Sequence, residues 1–154
     1  MARPQKIRRV AYLPEVTFFK PAGVPMRLLE QVALTVEEVE ALRLKELEGL
    51  EQEQGAEKMN VSRPTFQRVL ASARRKIADA LLNGKAIRIE GGNYTMAPMR
   101  YRCANRHEWQ IPFEQGVIQA PDTCPVCNTA NVAPLQPVTW GGVGKGRCFR
   151  RGNF

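Results

Sequence analysis

The stretch Gly55-Ala56-Glu57-Lys58-Met59-Asn60-Val61-Ser62-Arg63-Pro64-Thr65-Phe66-Gln67-Arg68 decides how the middle of the chain folds. Asn60 stands where a helix ending near Met59 needs a left-handed residue, a conformation asparagine tolerates. Ser62 is placed to cap a new helix, and Pro64 falls in its first turn, where a missing N–H costs nothing. Phe66, Leu70, Ala73, Ile77 and Leu81 then recur at helical spacing, and Asn83-Gly84 closes the run. A short helix from about Glu51 to Met59 and a long one over 62–82 therefore meet at a tight turn. Close packing of the pair favours a small residue on the inner face of the first helix, a place that suits Ala56, with Gly55 beside it. Val61 is positioned to tuck under both helices.

Upstream, Thr35-Val36-Glu37-Glu38 reads as a capping box opening a first helix, with three glutamates in its first turns facing the positive end of the dipole. Val39, Leu42 and Leu47 supply its apolar face, and Gly49 its stop. Residues 1–34 mix basic side chains with prolines and one β-prone run, Val16-Thr17-Phe18-Phe19, and read as an extended basic arm with one strand. Downstream, Ala86-Ile87-Arg88-Ile89 alternates like a short strand, residues 93–100 read as a linker, and helical periodicity is lost beyond it. Residues 136–154, rich in Gly and Arg, read as a weakly ordered tail.

The 154 residues are 44% hydrophobic and 25% charged, a globular composition. No apolar run approaches the roughly 18 residues that span a bilayer, so no membrane is expected as a partner. The start, Met1-Ala2-Arg3-Pro4-Gln5-Lys6, is charged, with no apolar stretch behind it, unlike a secretory signal. A cytoplasmic, nucleoid-associated location is the expectation, and there cysteines are metal ligands or free thiols more often than disulfides. The net charge of +8 is uneven. Basic and acidic side chains number six and two in 1–34, three and eight in 35–59, seven and two in 60–90, and seven and three in 91–154. An acidic block abuts a basic one at the Asn60 turn, and the basic surfaces point to a polyanion.

A helix pair of this kind, the second capped by serine and basic on its outer face, fits a DNA-reading helix-turn-helix. Ser62, Arg63, Thr65, Gln67 and Arg68 are the set able to reach base edges and phosphates. Arg63 or Arg68 suits guanine, and Gln67 adenine, in the major groove of double-stranded DNA. Arg74, Arg75 and Lys76 suit the phosphate backbone. Arg3, Lys6, Arg8 and Arg9 form an arm that tracks phosphates or enters the minor groove. The bland alternative is a three-helix core with a solvated basic face; the turn chemistry and the reversal of charge weigh against it. A module this small usually dimerises or borrows other contacts, so a homodimer is one expectation.

Leu47-Glu48-Gly49-Leu50, Glu53, Ala56-Glu57, Val61-Ser62, Thr65 and Arg74-Arg75-Lys76 resemble the promoter-reading region four of sigma-70-type factors. A narrower resemblance rests on Arg8-Arg9-Val10, Pro14, Phe19-Lys20-Pro21-Ala22-Gly23, Leu34 to Glu38, Glu40 to Lys45, Val61 to Arg68, and Lys85-Ala86 to Gly91-Gly92. Over roughly residues 1–92 the chain resembles a family of small bacterial and archaeal proteins, the domain of unknown function numbered one hundred and thirty-four, for which DNA binding is predicted. The resemblance implies a sigma-region-four-like fold and DNA binding. Gly55 departs from it, standing where such helices usually carry Ala or a larger apolar residue, and should weaken its helix by roughly 1 kcal/mol relative to Ala.

Cys103-x3-His107 and, farther on, Cys124-Pro125-Val126-Cys127 have metal-ligand spacing. Two ligand pairs on tight turns joined by a β-prone segment resemble a zinc ribbon, whose structural Zn²⁺ takes four tetrahedral ligands. Arg106 occupies the place of the second cysteine of many such ribbons, so His107 completes the set, or Cys148 does. An iron–sulfur cluster would use the same thiolates, but a histidine favours zinc.

The fold expected is mainly α, a three-helix helix-turn-helix domain over 35–92 with a small β-rich zinc-ribbon-like domain over 101–135. The expected function is a sequence-specific DNA-binding protein that regulates transcription; the alternative is a zinc-ribbon adaptor binding RNA or a protein such as RNA polymerase. An enzyme is not expected. A single histidine, no Ser/His/Asp set and no open metal site are present, and Gly141-Gly142-Val143-Gly144-Lys145-Gly146 lacks the ending of a phosphate loop.

Overall fold

The computed structural model describes residue 4 and residues 6–135; Arg3, Cys148 and the Gly/Arg-rich tail lie outside the described residues. The elements run β1 (Arg8–Val10), β2 (Phe18–Phe19), β3 (Gln31–Leu34), α1 (Val36–Leu42), α2 (Gln52–Lys58), α3 (Arg63–Asn83), β4 (Ala86–Ile89), β5 (Tyr94–Met96), β6 (Met99–Cys103), β7 (Glu108–Ile111), α4 (Phe113–Ile118) and β8 (Val132–Pro134). A 3-10 turn at Met26–Leu28 precedes β3, and a π-helical turn at Arg43–Leu47 extends α1.

This is an α/β mix, and it corrects the mainly α fold expected. Three small sheets accompany the helices. Residues 1–34 supply three strands rather than an extended arm with one. β4 lies between β2 and β3, antiparallel to β2 through Phe18↔Arg88 and parallel to β3 through Gln31↔Ala86 to Leu34↔Ile89. β1 pairs in parallel with β5, Arg8↔Tyr94 to Val10↔Met96, so the expected linker over 93–100 is partly strand. β1, β3 and β5 escape a pattern-based reading for a physical reason. Each is three or four residues long, too short to display a period of two, and its partner lies far along the chain.

Inside this frame the helices pack as anticipated at their centre. Ala41, Leu44, Ala56, Met59, Phe66, Val69 and Leu70 form the core, with Leu42, Leu50 and Val61 against it. Thr35 caps α1 in a full box: Glu38 N donates to Thr35 Oγ1 (3.3 Å), and Thr35 N to a Glu38 carboxylate oxygen (2.9 Å). The face of α1 differs from expectation. Leu47 is 60% exposed while Leu44 is fully buried. The π turn, closed by Glu48 N to Arg43 O at 3.0 Å, widens the helix and rotates Leu47 outward. Glu37, Glu38, Glu40 and Arg43 are buried instead. Arg43 donates to Glu40 (2.7 and 2.9 Å) and to Glu48, and its guanidinium stacks 4.0 Å above the Tyr12 ring. Burial pushes the Tyr12 phenol up to about 12, against the pull of Arg43. Likewise, α3 buries Phe66, Leu70 and Ala73 but not Leu81, which is 74% exposed; its inner face ends at Ala80.

Candidate nucleic-acid interface and metal centre

The turn between α2 and α3 is built as its residues dictate. Asn60 adopts φ 56°, the left-handed conformation. Val61 N returns to Ala56 O at 2.9 Å, and its side chain packs against the core. Ser62 Oγ accepts from Thr65 N (3.4 Å), Pro64 stands in the first turn, and Gly84 at φ 63° ends α3. At 21 residues, α3 is about 31 Å long. With Phe66, Leu70 and Ala73 inward, it turns Gln67, Arg68, Ala71, Arg74, Arg75 and Ala78 to solvent.

The cations singled out from the sequence fall into two groups. Four meet a carboxylate: Arg8 with Glu37 (3.4 Å), Arg63 with Glu53 (3.1 Å), Arg74 with Glu46, and Lys76 with Glu38 (2.8 Å). Glu38 is buried and also accepts from Ser72 (2.7 Å), so Lys76 belongs to a bridge between α1 and α3. Among the described residues, Lys6, Arg9, Arg68 and Arg75 are exposed and have no carboxylate partner. Ser62 and Thr65 bond each other through their hydroxyls (2.9 Å). Three carboxylates of the acidic block, Glu38, Glu46 and Glu53, are thus counter-charges of cations in the basic one. The signal of this in the sequence is the abutting of the two blocks.

The second candidate lies beyond β5. Cys103 ends β6, His107 precedes β7, and Cys124 and Cys127 sit on the loop before β8; the sheet order is β7-β6-β8. The segment joining the ligand pairs, expected to be β-prone, holds α4 as well as β7. Cys103 Sγ lies 3.5 Å from His107 Nδ1 and 3.8 Å from Cys127 Sγ, and Cys124 Sγ lies 3.9 Å from the same ring nitrogen. All four ligand atoms fall within 4.8 Å of one another. A tetrahedral ion with sulfur at about 2.3 Å and nitrogen at about 2.0 Å separates its ligands by about 3.5–3.8 Å, so the cluster has the dimensions to hold a metal ion. Two left-handed residues shape the turns, Arg106 (φ 65°) and Asn128 (φ 56°).

Comparison with known proteins places the chain. Residues 1–97 match the family described as "Protein of unknown function DUF134". The chain belongs to this family. A DUF134 relative, the UPF0251 protein of Moorella thermoacetica, is 54% identical over 155 residues, covering all of this chain and 97% of that protein. The UPF0251 protein of Halothermothrix orenii is 55% identical over 83% of this chain and 96% of its own length. That of Desulforudis audaxviator is 60% identical over 71% of this chain and 72% of its own. No solved structure gives a significant match.

The DUF134 match takes in β1 to β5 and the helices among them, and ends before β6 and Cys103. The cysteine–histidine cluster is therefore carried on the segment that follows it. There the two sides of the cluster differ electrostatically. Burial pushes the Cys103 thiol up. The Thr129 backbone N–H, then the Asn105 amide (3.3 Å), pull the Cys127 thiol down to about 6, toward the thiolate that a metal takes. Val126 N likewise points at Cys124 Sγ (3.4 Å). Asn105, which orients Cys127, went unread in the sequence; its position inside the first ligand pair was the available clue. Among the described residues no helix is long and apolar enough to cross a membrane.

Proposed function

We propose that this protein binds double-stranded DNA sequence-specifically, as a transcription regulator, reading the major groove with α3 while the Cys103, His107, Cys124 and Cys127 cluster holds a structural Zn²⁺. The observation that carries the reading is the outer face of α3. Gln67, able to pair with adenine, and Arg68, able to reach guanine or the phosphate beside it, stand exposed beyond the turn. Ala71 and Ala78, also exposed, keep that face thin enough to approach a groove, and Arg74 and Arg75 lie beside them for phosphates. Of the cations on α3, Arg68 and Arg75 carry uncompensated charge. Lys76 is a structural ion pair rather than a DNA contact.

Zinc suits three thiolates and one imidazole in a closed, four-coordinate set. Bound, it would cross-link two turns that otherwise share one short sheet. Selection of bound duplexes from a random pool, with and without a chelator, tests both parts. The reading expects an enriched motif, and loss of that motif on replacing Gln67 and Arg68 together by Ala. An unenriched pool would refute it.

A further inference from the structure

A cleft of about 720 Å³ is lined by Lys6 and Arg8 from the N-terminal segment and by Ser62, Thr65, Arg68 and Val69 around the start of α3. Among the described residues three cations line it and no carboxylate does. Their charges are unequal in effect. The Arg8 side chain is only 15% exposed and is offset by Glu37 at 3.4 Å. Lys6 Nζ and Arg68 Nε meet only neutral oxygens, Asn60 Oδ1 and Pro64 O, each at a long 3.4 Å. Two full positive charges therefore face the cleft. The Ser62 and Thr65 hydroxyls are 2.9 Å apart. One hydroxyl hydrogen closes that contact and the other remains to be donated.

The N-terminal side of the cleft is fixed. Arg9 N donates to Met59 O at 2.8 Å, within the helix-turn-helix itself, and Arg8 N to Asn93 O at 3.1 Å. Lys6 is held beside α3, two residues from a paired strand, and is not at the end of a free arm.

We propose that this cleft takes the sugar–phosphate backbone of one DNA strand, a phosphodiester lying between Lys6 and Arg68 with a hydroxyl hydrogen from the Ser62–Thr65 pair. The proposal rests on the DNA-binding reading and deepens it, narrowing an arm that tracks phosphates or enters the minor groove to a backbone clamp at the edge of the groove that α3 enters. Contacts to phosphate carry no sequence information, so the clamp sets register and affinity while Gln67 sets preference. The mixed lining suits this occupant, since the exposed Pro4 offers an apolar surface beside the cations for a deoxyribose ring.

The test uses the full chain carrying Lys6→Gln, with the selected duplex and a scrambled one titrated across salt concentrations. Lys6 is exposed and weakly bonded, so the fold is unaffected. Affinity should fall about tenfold for both duplexes alike, and the slope of log affinity against log salt should shrink by about one. A single uncharged methylphosphonate walked along the strand should weaken the wild type at one position where the variant is indifferent. Binding by the wild type with an unchanged slope in Lys6→Gln, or with no methylphosphonate position silenced, would overturn the clamp and leave DNA binding standing. A wild type that binds no duplex at all would overturn both.

Discussion

A β-carbon added to Gly55 would stand 2.6 Å from Cζ of Phe66, and 2.9 and 3.1 Å from its Cε2 and Cε1. Phe66 is fully buried among Leu44, Met59 and Leu70, so its ring has nowhere to swing. The glycine that looks like a weak point of α2 is the place where α3 comes closest. Gly55→Ala gains about 1 kcal/mol of helix propensity and meets an overpacking cost of about 1–3 kcal/mol. A net loss of stability is expected in denaturant unfolding; a rise would contradict this contact.

Glu38 makes stability pH-dependent on the acid side. Burial raises its carboxyl, but donors from Lys76, Ser72 and the Thr35 backbone outweigh that and hold it below the usual 4.5. A carboxylate depressed in the folded state contributes stability that is fully present above its unfolded value and is lost as pH falls through the folded one. Unfolding free energy should therefore decline below about pH 4.5. Glu38→Gln should lower stability at neutral pH by about 1–3 kcal/mol and show a shallower acid decline, measured by urea unfolding across that range.

Arg75 and Lys76 are adjacent and should behave oppositely. Arg75 is exposed and has no carboxylate partner among the described residues, whereas Lys76 bridges to Glu38 at 2.8 Å. Arg75→Gln should leave unfolding within about 0.5 kcal/mol of the wild type and lower DNA affinity with a reduced salt slope. Lys76→Gln should destabilise the fold by about 1–3 kcal/mol and leave site preference unchanged. Unfolding curves and fluorescence-anisotropy titrations separate the two.

Native mass spectrometry should find one zinc ion per chain, lost in Cys124→Ser and on chelation. Among the described residues β6 pairs only with β7 and β8, while β1 to β5 pair among themselves. Metal removal should therefore expose the amides of β6 to β8 to hydrogen exchange and leave those of α3 protected. Uniform protection throughout would show that the ion does not hold this segment.

How far the sequence alone carries can be seen residue by residue. Asn60, Ser62, Pro64 and Gly84 are local signals, each obeying the backbone chemistry of its own position, and all four act as read. The Cys103–His107 and Cys124–Cys127 pairs are legible for the same reason: a short spacing limits where the sulfurs can point. What escaped is non-local. Nothing near Arg8 announces Tyr94 as its strand neighbour, and nothing near Lys76 announces Glu38, on another helix. Leu47 misled because the pattern assumed 3.6 residues per turn through a stretch that widens to a π turn.

The pairing of β1 with β5, and of β2 and β3 with β4, has a consequence for the order in which the molecule comes into being. Every strand upstream of the helices waits for a partner made after them. During synthesis the three helices emerge before either sheet that frames them can close. Not until Met96 has left the ribosome can Val10 find its place, and Cys103 follows within a few residues. The helix-turn-helix and the strands that frame it can thus close before Cys124 and Cys127 are made, although that frame begins at residue 8.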